Sequence, residues 1–260
     1  MKVSANNGQK ITSARTFRAD VYFLAWDTAS QVVAMDLDGE PAKYGYDATS
    51  QLTSATYEKL PDEAYEYDAN GNRRNFVTGK NNQLLSDQEH RYEYDDEGNR
   101  ILKLHLTSGL KTVYNWDHRN RLVRVKSPKK TVEYQYDYRN RLTRRNDEFF
   151  VHDGWQIVCS LKNGKVVDHY LWGARQDELL CENDDFVLTD HLGTIRKVVG
   201  KDAAELTYNA FGKLISSNGK LPRFRYTGKL FDDETGLQWD VNRCACPDSL
   251  AEPKETGTRT

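Results

Sequence analysis

Pairs of aromatic residues separated by one polar residue recur along the first half of the chain. In five copies the second aromatic is followed directly by aspartate: Tyr44, Tyr46 and Asp47; Tyr65, Tyr67 and Asp68; Tyr92, Tyr94 and Asp95; Tyr114, Trp116 and Asp117; Tyr134, Tyr136 and Asp137. A weaker copy ends at Asp27, and the six aspartates are 20, 21, 27, 22 and 20 residues apart. Because residues two positions apart share one face of a strand, each copy predicts a strand with one aromatic face.

The residues after each aspartate predict a turn. Gly71 and Gly98 stand three positions after Asp68 and Asp95. An aspartate at the first turn position accepts a backbone N–H, and glycine adopts the left-handed conformation at the lowest cost. Asn120 replaces this glycine in a later copy, as Asn140 does in the next, and asparagine is the next best residue there.

Alternating polar and apolar residues follow each turn, over 73–77, 100–106, 121–125 and 141–145. This alternation predicts a returning strand, so one repeat is strand, turn, strand. A lone hairpin of this size is unstable, and neighbouring repeats must pair edge to edge and cover each other's aromatic faces. We therefore expect an all-β fold, a curved or spiralling sheet of β-hairpins.

Composition and charge limit the classes of partner. The chain has 260 residues, and 37 Lys plus Arg against 39 Asp plus Glu give a net charge of −2, which argues against a nucleic-acid or acidic-membrane partner for the whole chain. No apolar run approaches the roughly 20 residues of a membrane span, and the first residues lack the pattern of a signal peptide. The four cysteines are too few and too unevenly placed for a disulfide framework.

Asp190 and His191 invite an acid–base interpretation, because a carboxylate beside an imidazole can tune a proton carrier. Adjacent strand residues point to opposite faces, however, and no serine or cysteine nucleophile motif adjoins them. We expect His191 and Gly193 to shape a turn instead.

Two further clusters are weighed in the same way. Residues 232–234, Asp-Asp-Glu, could supply a carboxylate pair or a divalent-ion site, but ahead of Thr235-Gly236 they are also typical of a solvated hairpin turn, which we favour. Cys244 and Cys246 lack the spacing and the second ligand pair of a zinc site. No catalytic, cofactor-binding or metal-binding residue is therefore predicted.

The segment from His118 to Arg145 is locally basic, with ten Lys or Arg against two acidic residues. Its cations could contact phosphates, and its interleaved tyrosines could stack on bases. The same positions are needed on the strands of the repeat, so we interpret the segment as a solvated or cavity-lining face. Glycine-rich phosphate loops, His-Glu-x-x-His and Gly-x-Ser-x-Gly are missing from the sequence, which lowers the expectation of an enzyme.

The motif Tyr-x-Tyr-Asp-x-x-Gly-Asn-Arg, at 65–73 and 92–100, resembles the YD repeat of RHS and teneurin-like proteins. Motifs at 150–155, 170–173, 189–196, 208–212, 223–228 and 233–237 resemble, in order, the RHS repeat-associated core module. Its marked positions here are Asp190, His191, Gly193, Arg196, Tyr208, Phe211, Gly212, Gly228, Glu234 and Gly236. The resemblance implies a YD-hairpin array over 20–148 and a core module over 149–243, after a lead-in over 1–19.

In that family the repeats form a hollow β-shell around a toxic or adhesive C-terminal segment, and some members cut themselves at Asp-Pro motifs. Here Cys-Ala-Cys-Pro-Asp-Ser-Leu occupies 244–250, where the family has Asp-Pro. The polar residues that follow indicate a disordered tail over 244–260. The chain is therefore expected to be a C-terminally truncated or frame-shifted RHS/YD-repeat member.

The resulting prediction is a non-catalytic, toxin-associated shell module of a bacterial protein that needs no cofactor. Repeat arrays need covered ends, so we expect self-association or a longer RHS/effector partner. One alternative is a carbohydrate-binding or cell-surface repeat protein, since aromatic rings pack on sugar faces. A second is a self-cleaving RHS core. The family implies a secreted or cell-surface location.

Overall fold

The computed structural model describes residues 23–37, 40–175, 177–240 and 243–245. In these ranges the regular structure is β-strand apart from two short 3-10 helices, which confirms the all-β class. The strands are β1 (Phe23–Trp26), β2 (Val32–Leu37), β3 (Glu40–Tyr46), β4 (Leu52–Tyr57), β5 (Glu63–Ala64), β6 (Val77–Thr78), β7 (Leu84–Ser86), β8 (His90–Tyr94), β9 (Arg100–His105), β10 (Lys111–Trp116), β11 (Leu122–Lys126), β12 (Thr131–Tyr136), β13 (Leu142–Arg145), β14 (Glu148–Asp153), β15 (Gln156–Lys162), β16 (Lys165–Trp172), β17 (Leu179–Glu182), β18 (Asp185–Thr189), β19 (Ile195–Val199), β20 (Ala204–Tyr208), β21 (Leu214–Gly219), β22 (Leu230–Asp232), β23 (Leu237–Asp240) and β24 (Arg243–Ala245). The 3-10 helices span Lys80–Asn82 and Tyr226–Gly228.

The chain divides into two compact units between Glu63 and Ala64. Strands β1–β5 form a five-stranded sheet, β6–β21 a sixteen-stranded sheet and β22–β24 a three-stranded sheet, each in sequential order. The sheet is continuous across the boundary expected at 148/149, where Arg144 on β13 pairs with Phe149 on β14. The division into repeat array and core module stays a prediction.

The repeat hairpins share one irregularity of register. In β8, β10 and β12 the pairing with the returning strand shifts immediately before the second aromatic, at Tyr94, Trp116 and Tyr136. Such a bulge sets two residues of one strand against one of the other and increases the local twist. The same shift occurs in β14, β16, β18 and β20, so the core-module hairpins have the geometry of the repeats.

One copy departs from the predicted strand–turn–strand form. Tyr67 and Arg73 form an isolated bridge, and Phe76 donates its N–H to the carbonyl of Arg73, so the chain turns again. The returning strand expected over 73–77 is therefore wrong. In this copy the Arg73 guanidinium lies 4.5 Å from the ring centroid of Tyr65 and 3.9 Å from that of Phe211.

One face of the sixteen-stranded sheet carries the core. Its buried side chains include Tyr114, Tyr134 and Tyr170, and residues from 221–240 join the same cluster through Phe224 and Leu237. We call residues 221–240 the cover segment and the face beneath them the covered face. Side chains alternate along each strand, so neighbours of the buried residues, such as Val151 and Phe186, lie on the opposite face, where they are exposed.

The expected tail begins inside an ordered element. Strand β24 pairs with β23 and includes Cys244 and Ala245, which are the first two residues of that tail. Its remainder, 246–260, and the expected lead-in lie outside the described residues. Among the described residues, no helix is long and apolar enough to cross a membrane.

Candidate functional site

The turns of the repeats are built on the aspartate side chain. Oδ1 of Asp137 accepts the backbone N–H groups of Arg139 at 2.8 Å and Arg141 at 3.0 Å. Asn140 donates its N–H to the carbonyl of Asp137 and takes the left-handed conformation, with φ of 66°. Burial alone would raise the pKa of Asp137, but the backbone and side-chain hydrogen bonds from Arg141 lower it.

The same pair of backbone hydrogen bonds recurs in hairpins of both units. It is made by the side-chain oxygens of Asp27, Asp47, Asp68, Asp117, Asp190 and Asn209. The turn chemistry expected of the repeats therefore recurs in two core-module hairpins, β18–β19 and β20–β21.

In three hairpins of the sixteen-stranded sheet the residue after the left-handed position, Asn99, Arg121 or Arg141, links neighbouring turns. Asn99 donates its side-chain N–H groups to Oδ2 of Asp95 and to Oδ1 of Asn120 in the next turn, both at 3.0 Å. Arg121 makes the corresponding bridge to the carbonyl of Asp137, at 3.2 Å. We call this row of connected hairpin tips the turn rim.

Asp190 closes a turn of the core module, as Asp137 closes a turn of the repeats. Oδ1 of Asp190 accepts the N–H groups of Leu192 and Thr194 at 2.9 Å each, and Oδ2 binds Nε of Arg196 at 2.9 Å. The carboxylate is thus engaged by its own turn and by one cation, and the His191 side chain is on the exposed tip.

Other marked positions of the core module fit close approaches of the backbone. A Cβ at Gly212, where φ is 87°, would overlap the ring of Tyr226. A Cβ at Gly228 would come within 2.7 Å of the carbonyl oxygen of Asp177. Tyr208 is buried, with its ring centroid 6.1 Å from that of Tyr226. These residues shape the contact between the sheet and the cover segment.

Arg223 fastens one end of the cover segment to the sheet. Its Nη1 lies 2.9 Å from Oε1 of Glu148 and 3.1 Å from Oδ2 of Asp168, and Glu182 accepts its backbone N–H at 3.0 Å. Two carboxylates therefore bind the Arg223 guanidinium, and a third accepts its backbone N–H. Burial raises the pKa of Glu182 to about 7, despite the hydrogen bond from Arg223.

Phe224 inserts between two rings of the covered face. Its ring centroid lies 4.9 Å from that of Tyr170 and 5.1 Å from that of Trp172, both edge to face. This geometry is favourable for aromatic pairs. The Tyr170 hydroxyl is buried and has no hydrogen-bond partner among the described residues, and burial raises its pKa.

Asp232 fastens the other end of the cover segment. Its carboxylate binds Arg145 through two hydrogen bonds, of 2.8 and 2.7 Å, and accepts the Tyr134 hydroxyl at 2.7 Å. Glu234 binds Arg145 at 2.8 Å and Lys130 at 2.6 Å. Burial would raise the pKa of Asp232, but Arg145 lowers it.

The acidic run 232–234 lies before and within the turn between β22 and β23, as expected, with Gly236 at a φ of 70°. Its interpretation as a solvated turn is wrong for Asp232, which is 4% exposed. Its partners lie 87 and 98 residues away in the sequence, so local composition could not reveal them.

These ion pairs and hydrogen bonds hold the cover segment on the sheet. The acidic groups that fasten it are paired with arginine or lysine, or accept backbone N–H groups. In the part of the chain that the structure describes, no three His, Cys, Asp or Glu side chains are grouped to hold a metal ion. Cys246, which was considered with Cys244 as a zinc ligand, lies outside the described residues.

Sequence reasoning missed the cations and acids of these two fastenings, in particular Arg145, Glu148 and Arg223. The available signal was weak: Arg223-Phe224-Arg225 places two cations around an aromatic, but this pattern does not identify their partners.

Comparisons with known proteins identify a family and several relatives. The model of the teneurin YD-shell family matches residues 23–243. The tRNA nuclease WapA of Bacillus subtilis is 26% identical over 231 residues, covering 76% of this chain and 10% of that protein. Salivary gland surface protein 1 of Aedes aegypti is 29% identical over 221 residues, covering 67% and 7%. The chain thus spans a tenth or less of the length of these relatives.

Two solved structures are also similar. The Tc holotoxin pore of Photorhabdus luminescens has 13% identity and a TM-score of 0.42, over 87% of this chain and 17% of that one. The TcdB2-TccC3 crystal structure has 14% identity and a TM-score of 0.37, over 86% and 18%. The family match over 23–243 confirms the RHS/YD-repeat assignment made from the sequence. The chain belongs to the teneurin YD-shell family.

Proposed function

We propose that the chain is a non-catalytic structural module that completes a larger YD-repeat shell by pairing its edge strands with other strands. The sheet order carries this proposal. Among the described strands, β6 and β21 each have one neighbour in the sixteen-stranded sheet, and residues 215–219 of β21 are all exposed. An uncovered edge presents backbone N–H and C=O groups on which a further strand can pair.

The covered face supports the same role. Aromatic contacts and ion pairs hold both ends of the cover segment on the sheet. The chain thus covers this part of its core with its own residues, as expected of a structural module. The short span relative to its relatives supports assembly with further repeats. That the complete shell encloses a toxic segment, and acts outside the cell or at its surface, is part of the proposal and rests on the family.

Sedimentation velocity on two proline variants of β21 tests edge pairing. Along a strand, successive N–H groups point to opposite sides. Proline has no backbone N–H, so one of the two variants Ser216→Pro and Ser217→Pro loses a hydrogen bond to β20. The other variant loses an N–H group on the free edge. We expect the wild type to associate as its concentration rises, one variant to lose thermal stability, and the other to stay folded but monomeric. A wild-type chain that is monomeric at its highest soluble concentration would overturn the proposal.

The self-cleavage alternative is tested separately. The acidic groups of the cover segment are engaged by cations, and Asp-Pro is missing from the sequence. Mass spectrometry of the purified chain over several days should show the intact mass throughout. Fragments ending at an acidic residue would refute a purely structural role.

A further inference from the structure

One stretch of the face opposite the covered face is apolar across the five strands β14–β18. Residues that pair directly across neighbouring strands lie on the same face of the sheet. Leu171 on β16 pairs with Cys181 on β17, which pairs with Phe186 on β18. In a neighbouring row Val151 on β14 pairs with Cys159 on β15. We call this stretch the apolar patch.

The large side chains of the apolar patch are presented to solvent. Six of them, each 40–59% exposed, are Phe149, Val151, Val166, Leu171, Leu180 and Phe186. At on the order of 100 Å² each they present roughly 600 Å² of apolar surface, the upper limit of the about 300–600 Å² found on an ordinary monomer. The solvated face of an antiparallel sheet normally carries polar residues, so the patch marks an interaction surface.

The apolar patch offers few polar groups to a partner. Each of β14–β18 lies between two neighbouring strands, so its backbone groups are used within the sheet. The polar side chains of the patch are His169 and the thiols of Cys159 and Cys181. A specific protein interface carries about one hydrogen bond per 100–200 Å², which this face cannot supply. A lipid acyl layer requires no hydrogen bonds from the protein.

The strands β10–β13, on one side of the apolar patch, carry an excess of cations on the same face. Phe149 pairs with Arg144 on β13, and the Arg144 guanidinium lies 5.0 Å from the centroid of the Phe149 ring. The register continues this face through Glu133 to Arg124, which pair directly. The cations of these strands, which we call the basic flank, are Lys111, Arg124, Lys126 and Arg144. Glu133 offsets one of their four charges.

The charge on the other side of the apolar patch is balanced. There Lys197 on β19 pairs with Glu205 on β20, and their side chains form an ion pair at 3.1 Å. The excess of positive charge therefore lies on one side of the patch, next to Phe149.

We propose that the apolar patch and the basic flank bind the surface of a membrane that contains anionic lipid. The apolar side chains enter the boundary between headgroups and acyl chains, and the cations meet anionic headgroups. Neighbouring strands of a sheet are rotated by about 20–25°, so the patch can lie deeper than the flank, whose cations stay at the level of the headgroups. The net charge of −2 opposes attraction of the whole chain, but a membrane meets this face alone.

Co-sedimentation of the full chain with lipid vesicles tests the proposal. Vesicles of phosphatidylcholine alone are compared with vesicles of phosphatidylcholine and phosphatidylserine in a ratio of about 4 to 1. We expect the mixed vesicles to bind the chain at least tenfold more tightly, and added salt to reduce this difference. No binding to the mixed vesicles, or equal binding to both kinds, would overturn the proposal.

Matched variants place the binding on the apolar patch. Leu171→Thr with Phe186→Thr should weaken binding to the mixed vesicles at least tenfold, and threonine retains the preference for a strand. Leu106→Thr with Leu110→Thr makes a similar change at residues 51% and 52% exposed in the turn between β9 and β10, and should bind as wild type does. The circular dichroism spectra should not change. Equal binding by wild type and the 171/186 variant would refute the site.

Sedimentation velocity without lipid tests a second copy of the chain as the occupant of the apolar patch. Loss of wild-type self-association in the 171/186 variant would show that a second copy covers the patch, and would overturn the lipid proposal. We expect this variant to associate as wild type does. The lipid proposal does not depend on the shell role, because it uses a sheet face rather than a strand edge. The folded, monomeric proline variant of β21 should therefore still bind the mixed vesicles.

Discussion

Replacing Arg145 by methionine would leave the Asp232 carboxylate buried without its cation. The two side chains are 13% and 1% exposed, and two hydrogen bonds of 2.7 and 2.8 Å join them. Removing one partner of a buried ion pair costs about 3–5 kcal/mol, because the remaining charge keeps its desolvation penalty. The Tyr134 hydroxyl still donates to Asp232, so we expect Arg145→Met to lower the free energy of unfolding by about 3–4 kcal/mol.

Two variants isolate the buried charge as the cause. Arg124 and Glu133 form an ion pair on neighbouring strands but are 53% and 57% exposed, so Arg124→Met should cost about 0–1 kcal/mol. In the double variant Arg145→Met, Asp232→Leu no charge remains buried, and much of the lost stability should return.

Urea unfolding followed by tryptophan fluorescence is the assay, since the Trp239 ring lies 4.6 Å from that of Tyr134. The pKa of Asp232 is lowered in the folded chain, so the contribution of the pair is present above the ordinary value of 3.8 and is lost as the pH falls through the lowered pKa. The gap between wild type and Arg145→Met should therefore narrow in acid. An Arg145→Met cost no larger than that of Arg124→Met, or a double variant as unstable as the sum of its single variants, would refute the reasoning.

Three further perturbations follow from the cover segment and the turns. Glu182→Gln removes a carboxyl whose pKa is raised from 4.5 to about 7 in the folded chain. The free energy of unfolding of the variant should therefore exceed that of wild type by up to about 3 kcal/mol at pH 8 and equal it below pH 4.5. Thermal unfolding measures this difference, and a pH-independent difference would contradict the prediction. Phe224→Ala removes the ring between Tyr170 and Trp172, so it should lower the free energy of unfolding by about 3–5 kcal/mol and speed proteolysis within 221–240. Phe186 is 59% exposed, so Phe186→Ala should have neither effect. Asn140→Val should cost about 1–2 kcal/mol in urea unfolding because φ is 66°, while Asn140→Gly should be close to neutral; equal costs would show that the turn is not strained by side chains.

The repeat was predictable because its determinants are local. Five consecutive residues close each turn, so aspartate followed three positions later by glycine or asparagine specifies it without help from the rest of the chain. Asn120 and Asn140 have the positive φ that their place in the pattern requires. Ser30 and Ser50 also take positive φ in the first two turns, where the residue type gave no such signal.

The fastening of the cover segment was not predictable, because its partners are distant in sequence. Arg223 and Glu148 are 75 residues apart, and Asp232 and Tyr134 are 98 apart. An acidic run next to a turn has the same composition whether it is solvated or buried against an arginine. The failed strand over 73–77 also includes a residue with a distant partner, since Arg73 contacts Phe211.

The bridges along the turn rim bear on how such chains change length. Each described bridge, from Asn99, Arg121 or Arg141, joins one hairpin tip to the next. Gain or loss of a whole hairpin therefore leaves the remaining bridges intact, whereas insertion of part of a hairpin breaks both a bridge and the strand register. Evolution of these chains should proceed by steps of one complete hairpin. Sequence drift should be concentrated at the first and second residues after each turn aspartate, whose side chains the bridges do not use.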